Sequence, residues 1–164
     1  MILIGIGSNL AASRAKTPLE TAEAGLNALG RAGIPVAARS GWYLSEPVPV
    51  SDQPWFANAV VIVESNLAPL ALLDRLQAIE ADFGRVRTVR NAPRTLDLDL
   101  LAHDSALCDT EALTLPHPRL HERRFVLAPL CEIAPTWHHP HFGLSATELL
   151  ARLPLGQRVR RVGD

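Results

Sequence analysis

One run gathers the side chains best able to do chemistry: Gly84-Arg85-Val86-Arg87-Thr88-Val89-Arg90-Asn91-Ala92-Pro93-Arg94-Thr95-Leu96-Asp97-Leu98-Asp99-Leu100-Leu101. Its first half holds four arginines and a proline, and its second alternates Leu and Asp. Strict alternation predicts a β-strand with one buried face. Leu96, Leu98 and Leu100 then point one way, and Asp97 and Asp99 the other. Carboxylates at i and i+2 on one strand face lie roughly 6–7 Å apart. Their repulsion costs free energy that a divalent cation beside them relieves. Hard carboxylate oxygens suit Mg²⁺, which keeps some waters and takes its other ligands from substrate phosphates. The arginines just upstream offer planar cationic forks to the same phosphates. The run reads as a metal–nucleotide site. A second reading stays open at this point: the two acids form the wet face of an amphipathic strand, paired with Arg87 or Arg94.

Other candidate chemistry is sparser. No G-x-x-x-x-G-K-[ST] loop is present, and Lys16, the single lysine, stands in no such context. Any phosphate must be held by arginine and metal. Gly5-Ile6-Gly7 lacks the third glycine of a dinucleotide fingerprint. Its small residues instead suit a close approach to the strand. Aromatic residues are 5% of the chain, so their placement carries weight. Phe56 and Asn58 sit at a loop-to-strand boundary, and Phe125 follows Arg123-Arg124. Two rings and an amide suit a flat heterocycle, and they equally suit a core. Cys108 and Cys131 fit no metal or redox spacing. His138-His139-Pro140-His141 reads as exposed surface histidines.

The elements that must position these groups follow from periodicity. Residues 2–7 read as a buried strand leaving through Ser8-Asn9-Leu10. Thr17-Pro18-Leu19-Glu20 has the N-cap, first-turn proline and acid of a helix start. Residues 36–44 and 59–64 read as strands that pair antiparallel. A second helix runs from Pro69 to Gly84, with Leu70, Leu73, Leu76, Ile79 and Phe83 as its buried stripe and Gln77 and Glu80 on one face. The Asp strand follows. This βαββαβ order predicts an α+β, ferredoxin-like antiparallel sheet with helices packed on it. A C-terminal extension adds a hairpin near residues 107–115, a helix over 125–133 except where Pro129 intrudes, and a short helix from Ser145 to Leu153. Thr88 to Pro93 lacks apolar periodicity and is expected to order over ligands.

The chain has 164 residues, 48% hydrophobic and 20% charged, with net charge −1. That fits a single globular domain over 1–164 and gives no broad attraction to nucleic acid or membrane. No signal peptide or membrane-length apolar run appears, so a cytoplasmic monomer is expected.

At G-R-V-R and P-R-T-L-D-L-D-L-L the chain resembles the 6-hydroxymethyl-7,8-dihydropterin pyrophosphokinases of the folate pathway. Gly7 to Leu10 and Leu115-Pro116-His117 extend the resemblance from Gly7 to about Pro135. It implies a Mg²⁺-dependent diphosphotransferase that moves pyrophosphate from ATP to 6-hydroxymethyl-7,8-dihydropterin, giving AMP and the pterin diphosphate. It implies two Mg²⁺ ions on Asp97 and Asp99, with Arg85 and Arg94 joining that pair in catalysis. ATP contacts fall on Gln77, Glu80, Arg85, Arg94, His117 and Arg123. The pterin slot falls on Phe56, Asn58, Phe125 and the backbone around Ser45, Glu46 and Val48. The chain departs from the family pattern at Ala92, commonly Gly, and at Ala112, an Arg in some members. From the residues alone two other functions compete: a metal-dependent phosphohydrolase or nuclease, and a non-catalytic ligand-binding module.

Overall fold

Apolar strand runs and two amphipathic helices alternate through the first hundred residues, and the fold follows that order. In this computed structural model residues 1–10, 15, 17–84 and 95–163 are described. Strand β1 (Ile2–Ser8) leads to helix α1 (Pro18–Arg31), strands β2 (Val36–Arg39), β3 (Tyr43–Ser45) and β4 (Phe56–Val63), helix α2 (Pro69–Asp82) and strand β5 (Asp97–His103). A small ribbon of β6 (Cys108–Asp109) and β7 (Thr114–Leu115) precedes helices α3 (Arg124–Ile133) and α4 (Ala146–Ala151) and a last strand, β8 (Val159–Arg161). The main sheet is antiparallel in the order β5-β1-β4-β3-β8, and β2 also pairs with β4.

Helix ends form where their capping chemistry lies. Thr17 Oγ1 accepts from the Glu20 amide at 3.2 Å, with Pro18 in the first turn. Ser145 and Glu148 cap α4 reciprocally, at 3.1 and 2.7 Å.

The sheet's two faces are covered differently. On one, α1 and α2 bury Ile4, Ile6, Val61, Leu98 and Leu100. On the other, α3 and α4 pack over Leu3, Val60, Leu101 and Ala102. A bulge opposite Leu3 and Ile4 turns both Leu101 and Ala102 to that second face. Leu98 and Leu100 are 2% and 3% exposed, and burying each contributes roughly 2 kcal/mol. A one-residue slip of β5 would forfeit both and drive Asp97 and Asp99 into the helix-side core. The register that shows the acids to the second face is therefore strongly held.

Several features differ from the sequence expectation: α2 buries Leu72 and leaves Leu70 51% exposed, and α3 runs on through Pro129. The single strand over 36–44 is two, because Ser40 interrupts it. The Ser40 amide donates to Val60 O at 3.0 Å, and its hydroxyl accepts from the Val60 amide at 3.1 Å. Strand β8 was not foreseen. His139 is buried at 4% exposure rather than on the surface. Its ring packs among Trp137, His121 and Phe142, and its Nδ1 accepts from the His141 and Phe142 amides at 3.2 and 3.3 Å.

Burial, helped by the neighbouring His121 and His141, lowers the His139 pKa to about 4. The folded ring thus refuses a proton that the unfolded chain accepts near 6.5. Its contribution to stability is complete above the unfolded value and is lost as pH falls through 6.5 toward 4. Wild type should lose melting temperature over that window more steeply than His139→Asn, as thermal melts at pH 7 and pH 4.5 would read.

Gly25 of α1 lies against Leu96, the residue two before Asp97. A Cβ there would stand 2.5 Å from Leu96 Cδ1 and 3.0 Å from Cδ2, and Leu96 is fully buried. Gly25→Ala should gain about 1 kcal/mol of helix propensity and lose about 1–3 kcal/mol to overpacking. The expected net result is lower stability in a urea melt, recovered when Leu96→Val is added.

Candidate active site

Where α3 stops covering the sheet, a cavity of about 280 Å³ opens over its second face. Its floor explains the small residues of β1. Gly7 lies between Asn58 on β4 and Asp97 on β5, and Gly5 lies between Val60 and Asp99. A Cβ on Gly7 would come 3.3 Å from Asn58 Oδ1 and 3.9 Å from the Asp97 Cβ. Glycine keeps the floor low, so Asn58, Asp97 and Asp99 line the cavity. The sequence predicts another segment packed close on Gly5-Ile6-Gly7; the small residues instead floor a cavity.

Asp97 and Asp99 both line the cavity and both are half-buried. They meet the chemical demand of Mg²⁺: two hard oxygen donors on one wall, with further positions for water and phosphate oxygen. Among the described residues no group of three or more His, Cys, Asp or Glu side chains is arranged for a metal.

Helix α2 braces this wall from behind. β5 is an edge strand, and the buried Glu80 accepts the Leu98 amide at 2.9 Å. Leu98 sits between the two acids, so the carboxylate holds the strand at the point where their spacing is set. Gln77 is exposed on α2 and lies outside the cavity lining. The two residues expected on one helix face thus part company, Glu80 turned in to β5 and Gln77 out to solvent.

The pterin-slot candidates converge. Asn58 is 4% exposed, and its Nδ2 donates to Ser45 Oγ at 2.7 Å and to Phe56 O at 3.3 Å. Those bonds hold the amide plane and leave Oδ1 on the Gly7 side. Ser45, Glu46, Val48, Phe56 and Phe125 all line the same cavity. Both phenyl rings are half-buried, so neither is a core residue in the full sense. Arg123 also lines the cavity, with its guanidinium 5.4 Å from the centre of the Phe125 ring.

His117 lies beside this group, in a neighbouring depression. Its Nδ1 accepts the Arg119 amide at 3.1 Å, which leaves the proton of the neutral ring on Nε2. Burial lowers its pKa to about 4, reinforced by Arg123 and opposed by Asp97. At neutral pH it is an uncharged donor within the field of Asp97. Arg119 lines the cavity too and was not singled out from sequence. Its signal was a cation directly after Leu115-Pro116-His117-Pro118. Arg85, Arg94 and the loop over 86–93 lie outside the described residues.

Carboxylates on the floor, guanidinium groups on a wall and half-exposed rings at the rim suit a substrate pair that is anionic in one part and flat in another. That is the character of a small-molecule phosphotransferase on an α+β scaffold. The comparisons narrow it. The family model of 7,8-dihydro-6-hydroxymethylpterin-pyrophosphokinase (HPPK) matches residues 3–135. A 2-amino-4-hydroxy-6-hydroxymethyldihydropteridine pyrophosphokinase of Pseudomonas aeruginosa is 44% identical over 156 residues, covering 93% of this chain and 91% of that one. Its Haemophilus influenzae counterpart is 44% identical over 132 residues, covering 80% and 79%. A crystal structure of an HPPK-DHPS in complex with substrates shares the fold at a TM-score of 0.66 and 12% identity, covering 92% of this chain and 44% of that chain. The chain belongs to the 7,8-dihydro-6-hydroxymethylpterin-pyrophosphokinase family.

Proposed function

We propose that the cavity transfers the pyrophosphoryl group of ATP to the hydroxymethyl group of 6-hydroxymethyl-7,8-dihydropterin, in folate synthesis, giving AMP and the pterin diphosphate. The observation that carries this is the convergence of Asp97 and Asp99 with Asn58, Phe56 and Phe125 on one cavity. The flat pterin lies against Phe56 and Phe125, with its polar edge on the Asn58 amide and the backbone of Ser45, Glu46 and Val48. Asp97 and Asp99 would hold Mg²⁺, two ions in all, which would supply positive charge against the phosphates.

The chain's own groups do the rest. Arg123 supplies positive charge beside the phosphates, and neutral His117 donates from Nε2 to the nucleotide. Glu80 keeps the acid pair in register through Leu98. Arg85 and Arg94 are assigned to the phosphates, and Gln77 to the nucleotide. No described side chain stands out as a general base for the hydroxyl proton. The sheet order β5-β1-β4-β3 with α1 and α2 on one face supports a ferredoxin-like description. No helix among the described residues is long and apolar enough to cross a membrane. We read the chain as one domain over 1–164, acting as a cytoplasmic monomer on small molecules alone.

Product identity tests the reading. ATP, 6-hydroxymethyl-7,8-dihydropterin and Mg²⁺ should yield AMP in step with pterin consumption. An ordinary kinase yields ADP, because it cuts at the γ-phosphorus. A phosphohydrolase releases phosphate or pyrophosphate without the pterin. Anion-exchange separation of the nucleotides distinguishes them, and ADP rising with pterin loss overturns the proposal.

A further inference from the structure

The chain beyond the family match returns to the cavity. Gln157, just before β8, makes two bonds to the start of α3: its Nε2 donates to Glu122 O and its Oε1 accepts from the Arg124 amide, both at 2.8 Å. These backbone groups flank Arg123 and lie directly ahead of Phe125. Helix α3 has no side-chain cap of its own at Arg123, so Gln157 serves as a cap delivered from far along the chain. The next residue reaches the other segment of the rim. Arg158 O accepts from the Glu46 amide at 3.2 Å. Its guanidinium lies 3.7 Å from the Glu46 carboxylate and 5.1 Å from the centre of the Trp55 ring, the residue before Phe56.

The strand that follows is firmly anchored. β8 pairs with β3 through Arg161, Arg160 and Val159 opposite Tyr43, Leu44 and Ser45. Arg161 binds Glu132 of α3 through Nε at 3.3 Å and Nη2 at 3.2 Å. Glu132 also accepts the Gly41 amide at 2.9 Å and the Tyr43 hydroxyl at 2.7 Å. Two consecutive residues just ahead of an anchored strand thus hold the two segments that present the rings.

We propose that Gln157 and Arg158 are positioning residues that set the separation of the Phe125 segment from the Phe56 segment, and so how tightly the cavity grips a flat ring. This rests on the pterin reading of the cavity above. A purely stabilising role fits these residues poorly. Arg158 is 67% exposed, where an ion pair contributes little to global stability. The backbone groups that Gln157 bonds can turn to water when it is removed. What the chain loses is the distance between two loops.

Separate variation of pterin and ATP in steady-state assays of the full chain tests the proposal. Arg158→Ala should raise the pterin KM about threefold and leave the ATP KM unchanged. Gln157→Ala should raise both about tenfold, because Arg123 and Phe125 share the released segment. Gln157→Glu keeps the acceptor for the Arg124 amide but sets a second acceptor against Glu122 O, so it should fall between wild type and Gln157→Ala. All three should melt within about 2 °C of wild type. Unchanged pterin KM in both alanine variants overturns the proposal while wild-type turnover leaves the activity standing. So does a common loss of melting temperature and kcat with no split between the substrates. Absence of pterin turnover in wild type defeats the activity itself, and the positioning role with it.

Discussion

Asp97→Asn and Asp99→Asn should each lower kcat by about a thousandfold or more while leaving the fold in place. Both side chains stand on the cavity face of β5, with Leu98 and Leu100 turned to the opposite core. The amide keeps the size of the acid, so strand packing has no reason to change, and stability should move by less than about 1 kcal/mol. What changes is the charge on the cavity floor. A neutral amide is a poor Mg²⁺ ligand, and the phosphates then meet the wall without compensation. Two measurements separate the causes: kcat at saturating ATP, pterin and Mg²⁺, and calorimetry of a non-hydrolysable ATP analogue with and without Mg²⁺. In wild type the ion should strengthen analogue binding, and in either variant it should do so far less. Near-wild-type kcat in a folded variant would sink the role given to the pair.

The acid strand was legible because its pattern has one solution. Leucines at alternate positions can be buried only if the aspartates face the other way, and the structure puts Leu98 and Leu100 in the helix-side core. The helix starts were legible for a similar reason: Thr17 with Pro18, and Ser145 with Glu148, are local chemistry that closes within four residues. What sequence could not carry depends on distant partners. The break at Ser40 exists because its hydroxyl bonds Val60, twenty positions away. β8 is three residues long with two exposed arginines, and its pairing depends on the β3 edge and on Glu132. His139 lies in a polar run, and its burial comes from His121 and Phe142 folding over it.

The site divides along the same line. Phe125 lies far along the chain from Phe56 and Asn58, and only β4 and α3 meeting over one cavity brings the three together. Glu80 shows the limit of helical spacing. Three residues from Gln77, it was expected beside it, yet its carboxylate is spent on Leu98. The face of α2 toward β5 is narrow, and a 60° difference around the helix decides which side chain meets it.

Phe125→Ala and Asn58→Ala should each weaken pterin binding by roughly 1–3 kcal/mol, about five- to 150-fold in Kd, and leave ATP affinity close to wild type. For Phe125 the loss is ring stacking, since the phenyl is half-exposed at the rim and only part of it packs on the α3 core. For Asn58 the loss is recognition of polar edges, because a flat heterocycle taken from water must find each of its donors and acceptors a partner. The Ser45 hydroxyl holds the Asn58 amide at 2.7 Å, so the free protein already presents it in place. Substitution also leaves that buried hydroxyl without this partner, which should lower stability by about 1–3 kcal/mol and is read separately in a urea melt. Calorimetry with pterin alone and with an ATP analogue plus Mg²⁺ then discriminates. Selective loss of pterin affinity in both variants places the ring against Phe125 with its polar edge on Asn58. Parallel loss of both ligands, tracking the loss of stability, would return Phe125 and Asn58 to the scaffold and leave the cavity's flat substrate to be held by other groups.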